Sequence, residues 1–199
     1  MLKNTYGLVV CGGASSRMGC DKSMLTYYEK PQRYRLYKML QPDCEAVLIS
    51  CNETQASTMQ GGYNKIADNP AYINIGPMAA LFTAFTAYPE KNILLIGCDY
   101  PFLTDSDLRD FINYCSTKND ATAFCNKEDI YEPLIAWYPY HLFDSLKNCI
   151  DKKEYSLQHF LKDQNAIKYY PEHKKCMTSI DTHEQYIKAL EDIKYEQPG

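Results

Sequence analysis

The sequence lacks any apolar run near the roughly 20 residues that a bilayer-spanning helix requires. Its start does not have the layout of a secretory signal either, because the apolar stretch at 5–11 is short and two glycines follow it. Positive charge is not in excess: the 199 residues carry a formal net charge of −4. Nonspecific binding to nucleic acid or to a membrane surface is therefore not expected, although one local basic pocket is compatible with this balance. The nine cysteines include no C-x-x-C pair, which removes zinc ribbons and thioredoxin-type motifs. His141, His159, His173 and His183 show no metal-ligand spacing, and no Ser-His-Asp or Cys-His set is visible. There is no internal repeat, low-complexity segment or linker. These absences leave a single domain over 1–199 with a sizeable core, ending in a polar tail at 194–199 expected to fray. Cys11, Cys51, Cys98 and Cys125 fall inside apolar segments. They read as small buried hydrophobes in a reducing cytoplasm rather than as a disulfide framework.

Apolar strand-like runs alternate with helical patterns. Strands are expected at 6–11, 46–51, 64–67, 92–97, 121–125, 134–138 and 167–170, with a turn at 126–132. Helices are expected at 33–40, 54–60, 77–88, 105–115, 142–150, 156–161 and 183–193. Thr104 with Asp107, and Thr182 with Gln185, have the spacing of N-terminal capping boxes. The run Ile93-Leu94-Leu95-Ile96 is continuously apolar, as a strand covered on both faces should be. The alternation implies an α/β fold of three layers, α/β/α, around a mainly parallel sheet. Ligands of such sheets bind beyond the carboxyl ends of the strands.

Three stretches at those ends carry candidate chemistry. The first joins a strand to Gly12-Gly13 and then to Arg17 and Lys22. Glycines let backbone N–H groups approach an anion, and two cations neutralise phosphate charge. It is neither a Walker A loop nor a dinucleotide fingerprint, since Gly-Lys-Ser/Thr and Gly-x-Gly-x-x-Gly are both absent. A polyphosphate cradle and an ordinary glycine turn with surface cations are the two readings. The second is Cys98-Asp99-Tyr100-Pro101-Phe102. A carboxylate at the mouth of a buried strand needs a partner, which a Mg²⁺ ion bridging to phosphates supplies; the alternative is a turn or capping aspartate. The third comprises Asp68 and Gly76-Pro77, either facing a ligand at a helix start or serving only as loop residues.

Together these stretches resemble the MobA-like nucleotidyltransferases, the molybdenum cofactor guanylyltransferases and their cytidylyl relatives. The resemblance covers nearly the whole chain. The family's Leu-Ala-Gly-Gly-x-Ser-x-Arg-Met-Gly-x-Asp-Lys loop stands here as Val10-Cys11-Gly12-Gly13-Ala14-Ser15-Ser16-Arg17-Met18-Gly19-Cys20-Asp21-Lys22. Its Gly-Pro-Leu-Ala-Gly stretch appears as Gly76-Pro77-Met78-Ala79-Ala80, and a later strand as Pro133-Leu134-Ile135-Ala136-Trp137-Tyr138. Sugar-nucleotide pyrophosphorylases share the glycine theme but place their lysine further from the arginine. The sequence departs from the family at Cys11 and Ala80, and in Ser179-Ile180-Asp181-Thr182-His183, where Asn-x-Asn-Thr-Pro, a segment associated with the pterin, is usual.

The resemblance implies a Mg²⁺-dependent enzyme that transfers GMP from GTP to the phosphate of molybdopterin and releases pyrophosphate. It implies Asp99 as the metal ligand, with Arg17 and Lys22 stabilising charge on the leaving group. Gly12 and Gly13 would face the phosphates or the base. Asn52, Asp68 and Gly76 would line the nucleoside, and Val10, Cys11 and Ser15 complete the nucleotide-binding set. Other molybdenum cofactor biosynthesis proteins are the expected macromolecular partners. The alternatives are a cytidylyl- or other nucleotidyl-transferase with a different acceptor, and a nucleotide-binding module without catalysis.

Overall fold

The most apolar runs of the chain become adjacent central strands in the computed structural model, which describes residues 1–11, 21–67, 69–72 and 75–196. The strands are β1 (Thr5–Val10), β2 (Ala46–Cys51), β3 (Lys65–Ala67), β4 (Asn92–Gly97), β5 (Thr122–Cys125), β6 (Tyr131–Tyr138) and β7 (Ile167–Tyr169). They form one sheet in the order β3-β2-β1-β4-β6-β5-β7. β1 is parallel to β2 and β4, β2 to β3, and β5 to β7; β6 runs antiparallel to both of its neighbours.

Two faces of this sheet are covered, which gives the expected three layers. Leu8 and Val10 of β1 and Ile93 and Leu95 of β4 enter one core with α3 (Pro77–Ala87), α5 (Phe143–Asp151) and α6 (Leu157–Asp163). Val9, Leu94 and Ile96 enter the other, with α1 (Gln32–Leu40) and α4 (Asp105–Cys115). The alternation follows from the two-residue period of a strand. Each fully buried Leu or Ile contributes roughly 1.5–3 kcal/mol, so the central strands anchor whatever their ends carry. A third, smaller cluster joins α7 (His183–Glu196) through Ala189 and Ile193 to Tyr27, Phe102 and Ile180. It brings the last helix against the segments that follow Lys22 and Asp99.

Several boundaries differ from the sequence expectation. β6 begins at Tyr131, so Tyr131 and Glu132 are strand residues rather than turn, and Pro133 lies inside the strand. Pro133 is tolerated because the β5–β6 register shifts between Ala123 and Phe124, which interrupts the ladder opposite it. The turn closes tightly at 126–130: the Asn126 side-chain oxygen accepts from the N–H groups of Glu128 and Ile130. α2 (Glu53–Ser57) starts one residue earlier than expected and ends before Gly61-Gly62. Asn52 and Gln55 form its capping box, which sets that start. Residues 194–196, read from sequence as part of a polar tail, are the last turn of α7. The capping boxes at Thr104 and Thr182 are both formed. The described cysteines are free, and all but Cys149 are buried, consistent with small hydrophobes. No helix among the described residues is long and apolar enough to cross a membrane.

Candidate active site

Parallel pairing places the carboxyl ends of β3, β2, β1 and β4 side by side, and the candidate residues lie at those ends. Val10 and Cys11 close β1 and are buried. The Cys11 N–H donates to the Ser50 carbonyl (3.3 Å), and the Cys98 N–H donates to the Val10 carbonyl (3.0 Å). The Gly-Gly loop and Asp99 are thus carried by adjacent strands. The Cys98 thiol is pushed up by its hydrogen bond with Cys11 and by burial, so it is a packed thiol rather than a nucleophile. Gly12, Gly13, Ser15, Arg17 and Asp68 lie outside the described residues.

Asp21 Oδ1 accepts from the Ser23 N–H (3.0 Å) and hydroxyl (2.8 Å). This caps the short 3-10 turn Lys22–Met24. From that turn the Lys22 ammonium donates to Asp181 Oδ1 at 2.7 Å and lies 3.8 Å from Asp99 Oδ1. The side chains of Lys22 and Asp99 are 15% and 21% exposed, and that of Asp181 is 47% exposed. Asp99 Oδ1 is buried and has no hydrogen-bond partner. Burial raises the Asp99 carboxyl above its ordinary range and Asp181 adds to the rise, while Lys22 pulls the other way. The Ile180 N–H donates to the Asp99 carbonyl (2.9 Å), stitching the segment before α7 to the end of β4.

The remaining candidates hold the frame. Asn52 caps α2, so its side-chain oxygen is engaged with the Gln55 N–H (2.9 Å). Gly76 caps α3 at φ 66°, ψ −154°, a backbone conformation in which a side chain is strained although no atom of the described residues lies within 4 Å of an added Cβ. Gly97 has ordinary φ but little room: an added Cβ would meet Leu134 Cβ at 3.1 Å. A groove of 780 Å³ lined by Tyr27, Tyr28, Arg35 and the start of α4 includes none of Lys22, Asp99 or Asp181 among its walls.

Two acids were missed by sequence reasoning. Asp181 was noted only as a departure in the pterin-associated segment; it lies 159 residues from the lysine it binds, and no local spacing announces such a pair. Glu132, assigned to a turn, is a part-buried strand residue whose carboxylate accepts from the Tyr100 hydroxyl and the Leu134 N–H. Burial raises it, and the charges of Asp99 and Asp181 raise it further.

An ammonium at the carboxyl ends of parallel strands, held by carboxylates that phosphate oxygens could replace, is chemically suited to neutralising polyphosphate charge. A family model described as a MobA-like NTP transferase domain matches residues 7–168. The chain belongs to that family. It is accordingly a nucleotidyltransferase. It is 32% identical over 124 residues to a molybdenum cofactor biosynthesis bifunctional protein of Synechocystis sp., a match that covers 60% of this chain and 34% of that protein. The chain therefore spans about a third of that relative's length. It is 23% identical over 188 residues to a molybdenum cofactor guanylyltransferase of Shewanella sediminis, covering 94% of this chain and 95% of that one. The fold is that of the crystal structure of molybdopterin-guanine dinucleotide biosynthesis protein A from Archaeoglobus fulgidus, with a TM-score of 0.76 at 20% identity over 96% of this chain and 100% of that one.

Proposed function

We propose that this chain attaches GMP from GTP to the phosphate of molybdopterin. An acceptor phosphate oxygen forms a bond to the α-phosphorus of GTP, the bond from that phosphorus to the β-phosphate oxygen breaks, and pyrophosphate leaves. The observation that carries the reading is the Lys22 ammonium, held by Asp181 at 2.7 Å and facing Asp99 at 3.8 Å in a MobA-like chain. Little covalent chemistry is asked of the protein; placement and charge neutralisation carry such transfers. Lys22 exchanges its carboxylates for phosphate oxygens when nucleotide enters, and it stabilises the charge that builds on the departing pyrophosphate. On this reading Arg17 stabilises the same leaving group, Gly12 and Gly13 face the phosphates or the base, Ser15 belongs to the nucleotide-binding set, and Asp68, Asn52 and Gly76 line the nucleoside.

The residues present fit Mg²⁺. The buried Asp99 Oδ1, which accepts no hydrogen bond and faces only the Lys22 ammonium at 3.8 Å, is a hard oxygen donor open to a cation, and Asp181 offers a second carboxylate across Lys22. When bound, the ion neutralises polyphosphate charge. Residues 1–199 act as one nucleotidyltransferase domain, working in the cytoplasm beside the other enzymes of molybdenum cofactor assembly.

A thermal-shift titration with GTP, CTP, ATP and UTP, each with Mg²⁺, tests the nucleotide half of the reading. The expected result is a shift selective for GTP that disappears in Asp99→Ala. A shift selective for CTP redirects the assignment to cytidylyl transfer.

A further inference from the structure

Close to Lys22 stands a charge that the proposed chemistry does not use. Arg33, in α1, is fully buried. Its Nη2 donates to the Tyr34 hydroxyl (2.8 Å) and to the Thr58 carbonyl (3.0 Å), while Nε and Nη1 have no hydrogen-bond partner. Among the described residues the carboxylate facing it is Asp21, with Nη1 at 3.9 Å from Oδ2. A guanidinium removed from water is costly unless a countercharge stands near it. The attraction acts both ways, so the field of Arg33 also restrains Asp21.

The other oxygen of Asp21 is equally committed. Oδ1 accepts from the Ser23 N–H and hydroxyl and from Gln55 Nε2 (3.1 Å). Gln55 belongs to α2, where its own side-chain oxygen accepts from the Asn52 N–H (3.1 Å). Two helices that follow different strands therefore converge on one carboxylate, and that carboxylate caps the turn from which Lys22 projects. Lysine is a flexible point charge; a fixed base of this kind limits the positions its ammonium reaches.

We propose that Asp21, restrained by Arg33 and Gln55, is a positioning residue that sets where the Lys22 ammonium sits. The consequence for transfer rests on the nucleotidyltransferase reading above; the positioning itself does not. Asp21→Asn is the selective perturbation. The amide oxygen still accepts from Ser23 and Gln55, but the attraction to Arg33 is lost and an amide NH₂ faces its orphaned donors.

The test combines two readouts on folded protein. Mass spectrometry follows acetylation of individual lysines by an acyl ester, with Lys91 and Lys168, paired with Glu45 and Asp129, as internal references. Transfer kinetics follow kcat and KM separately. In Asp21→Asn the Lys22 rate should rise on the order of tenfold with Lys91 and Lys168 unchanged, and kcat should fall on the order of 10²-fold with little change in KM for GTP. Arg33→Met should reproduce the Lys22 change, and the double variant should add little to either single one. Should Arg33→Met fail to fold, Asp21→Asn decides alone. An unchanged Lys22 rate, or a uniform rise at all three lysines, overturns the proposal in favour of a purely structural ion pair. A wild-type protein inert with GTP and molybdopterin, combined with the expected Lys22 change, overturns the guanylyl reading and leaves the positioning intact.

Discussion

Replacing Lys22 with Gln separates the two demands placed on its ammonium. The side chain is 15% exposed and faces Asp181 at 2.7 Å and Asp99 at 3.8 Å. The Asp181 pair is half open to solvent and contributes at most about 1 kcal/mol. Asp99 is the larger concern, because Lys22 is what opposes the effect of burial on its carboxyl. Without the cation, the Asp99 carboxyl rises further and its ionised form is left with less compensation. Discounting a fully buried broken pair for the remaining 21% exposure of Asp99 gives a destabilisation of about 2 kcal/mol at pH 8. The sign with pH follows. A carboxyl raised in the folded state holds a proton that the unfolded chain has released, so folding is favoured by acidification through that window. The variant gains more than the wild type as Asp99 is protonated, and the gap between them closes as pH falls towards the ordinary value of 3.8. Urea unfolding at pH 8 and at pH 4 measures both ends. On activity, loss of a preorganised cation at a leaving group lowers kcat on the order of 10²–10³-fold. A destabilisation independent of pH refutes the Asp99 argument, and full turnover by the folded variant refutes the role given to Lys22.

Other perturbations probe the frame around it. Gly76→Ala should cost about 1–3 kcal/mol in denaturant unfolding through the backbone, since no atom of the described residues crowds the methyl group; a change under about 0.5 kcal/mol contradicts the positive-φ cap. Glu132→Gln keeps an acceptor for Tyr100 and Leu134 but removes a carboxylate raised by burial. Its melting temperature should exceed that of the wild type at pH 8 and converge with it near the ordinary value of 4.5, and a constant difference across that range sinks the assignment. Gly97→Ala should destabilise the fold, because the Leu134 side chain at 3.1–3.2 Å must give way; partial compensation by Leu134→Ala, which removes Cδ1 but keeps Cβ, is the check. Chelation with EDTA should abolish the thermal shift by GTP while leaving the unliganded melting temperature in place, because the proposed reading has nucleotide and cation meet at Asp99.

The legible parts of this molecule were those whose signal is local. The runs Ala46–Cys51 and Asn92–Gly97 matched their strands residue for residue, because buried parallel strands need continuous apolar sequence. Thr104 and Thr182 announced their helices through side chains three residues apart. Lys22 and Asp99 were readable as candidates because each follows a strand or a glycine-rich turn, and the structure brings them together. What escaped was either long-range or disguised. Asp181 meets Lys22 through the packing of α7 against Tyr27 and Phe102, which no spacing encodes. Glu132, just ahead of a proline, has the look of a turn residue, and an interrupted ladder lets Pro133 continue β6 after it. Arg33 sits on a helix with other cations, and nothing in its neighbours reveals that it alone is wholly buried against Asp21.

The central claim is that GMP, and not another part of GTP, passes to molybdopterin. Incubation of the purified protein with Mg²⁺, molybdopterin and GTP labelled at either the α- or the γ-phosphate tests it most directly. The account predicts α-label in a dinucleotide product and γ-label in pyrophosphate, with both formed on the order of 10²–10³-fold more slowly by Lys22→Gln and neither formed by Asp99→Ala. γ-Label on the acceptor, release of free orthophosphate, or product formation that survives loss of Asp99 contradicts it.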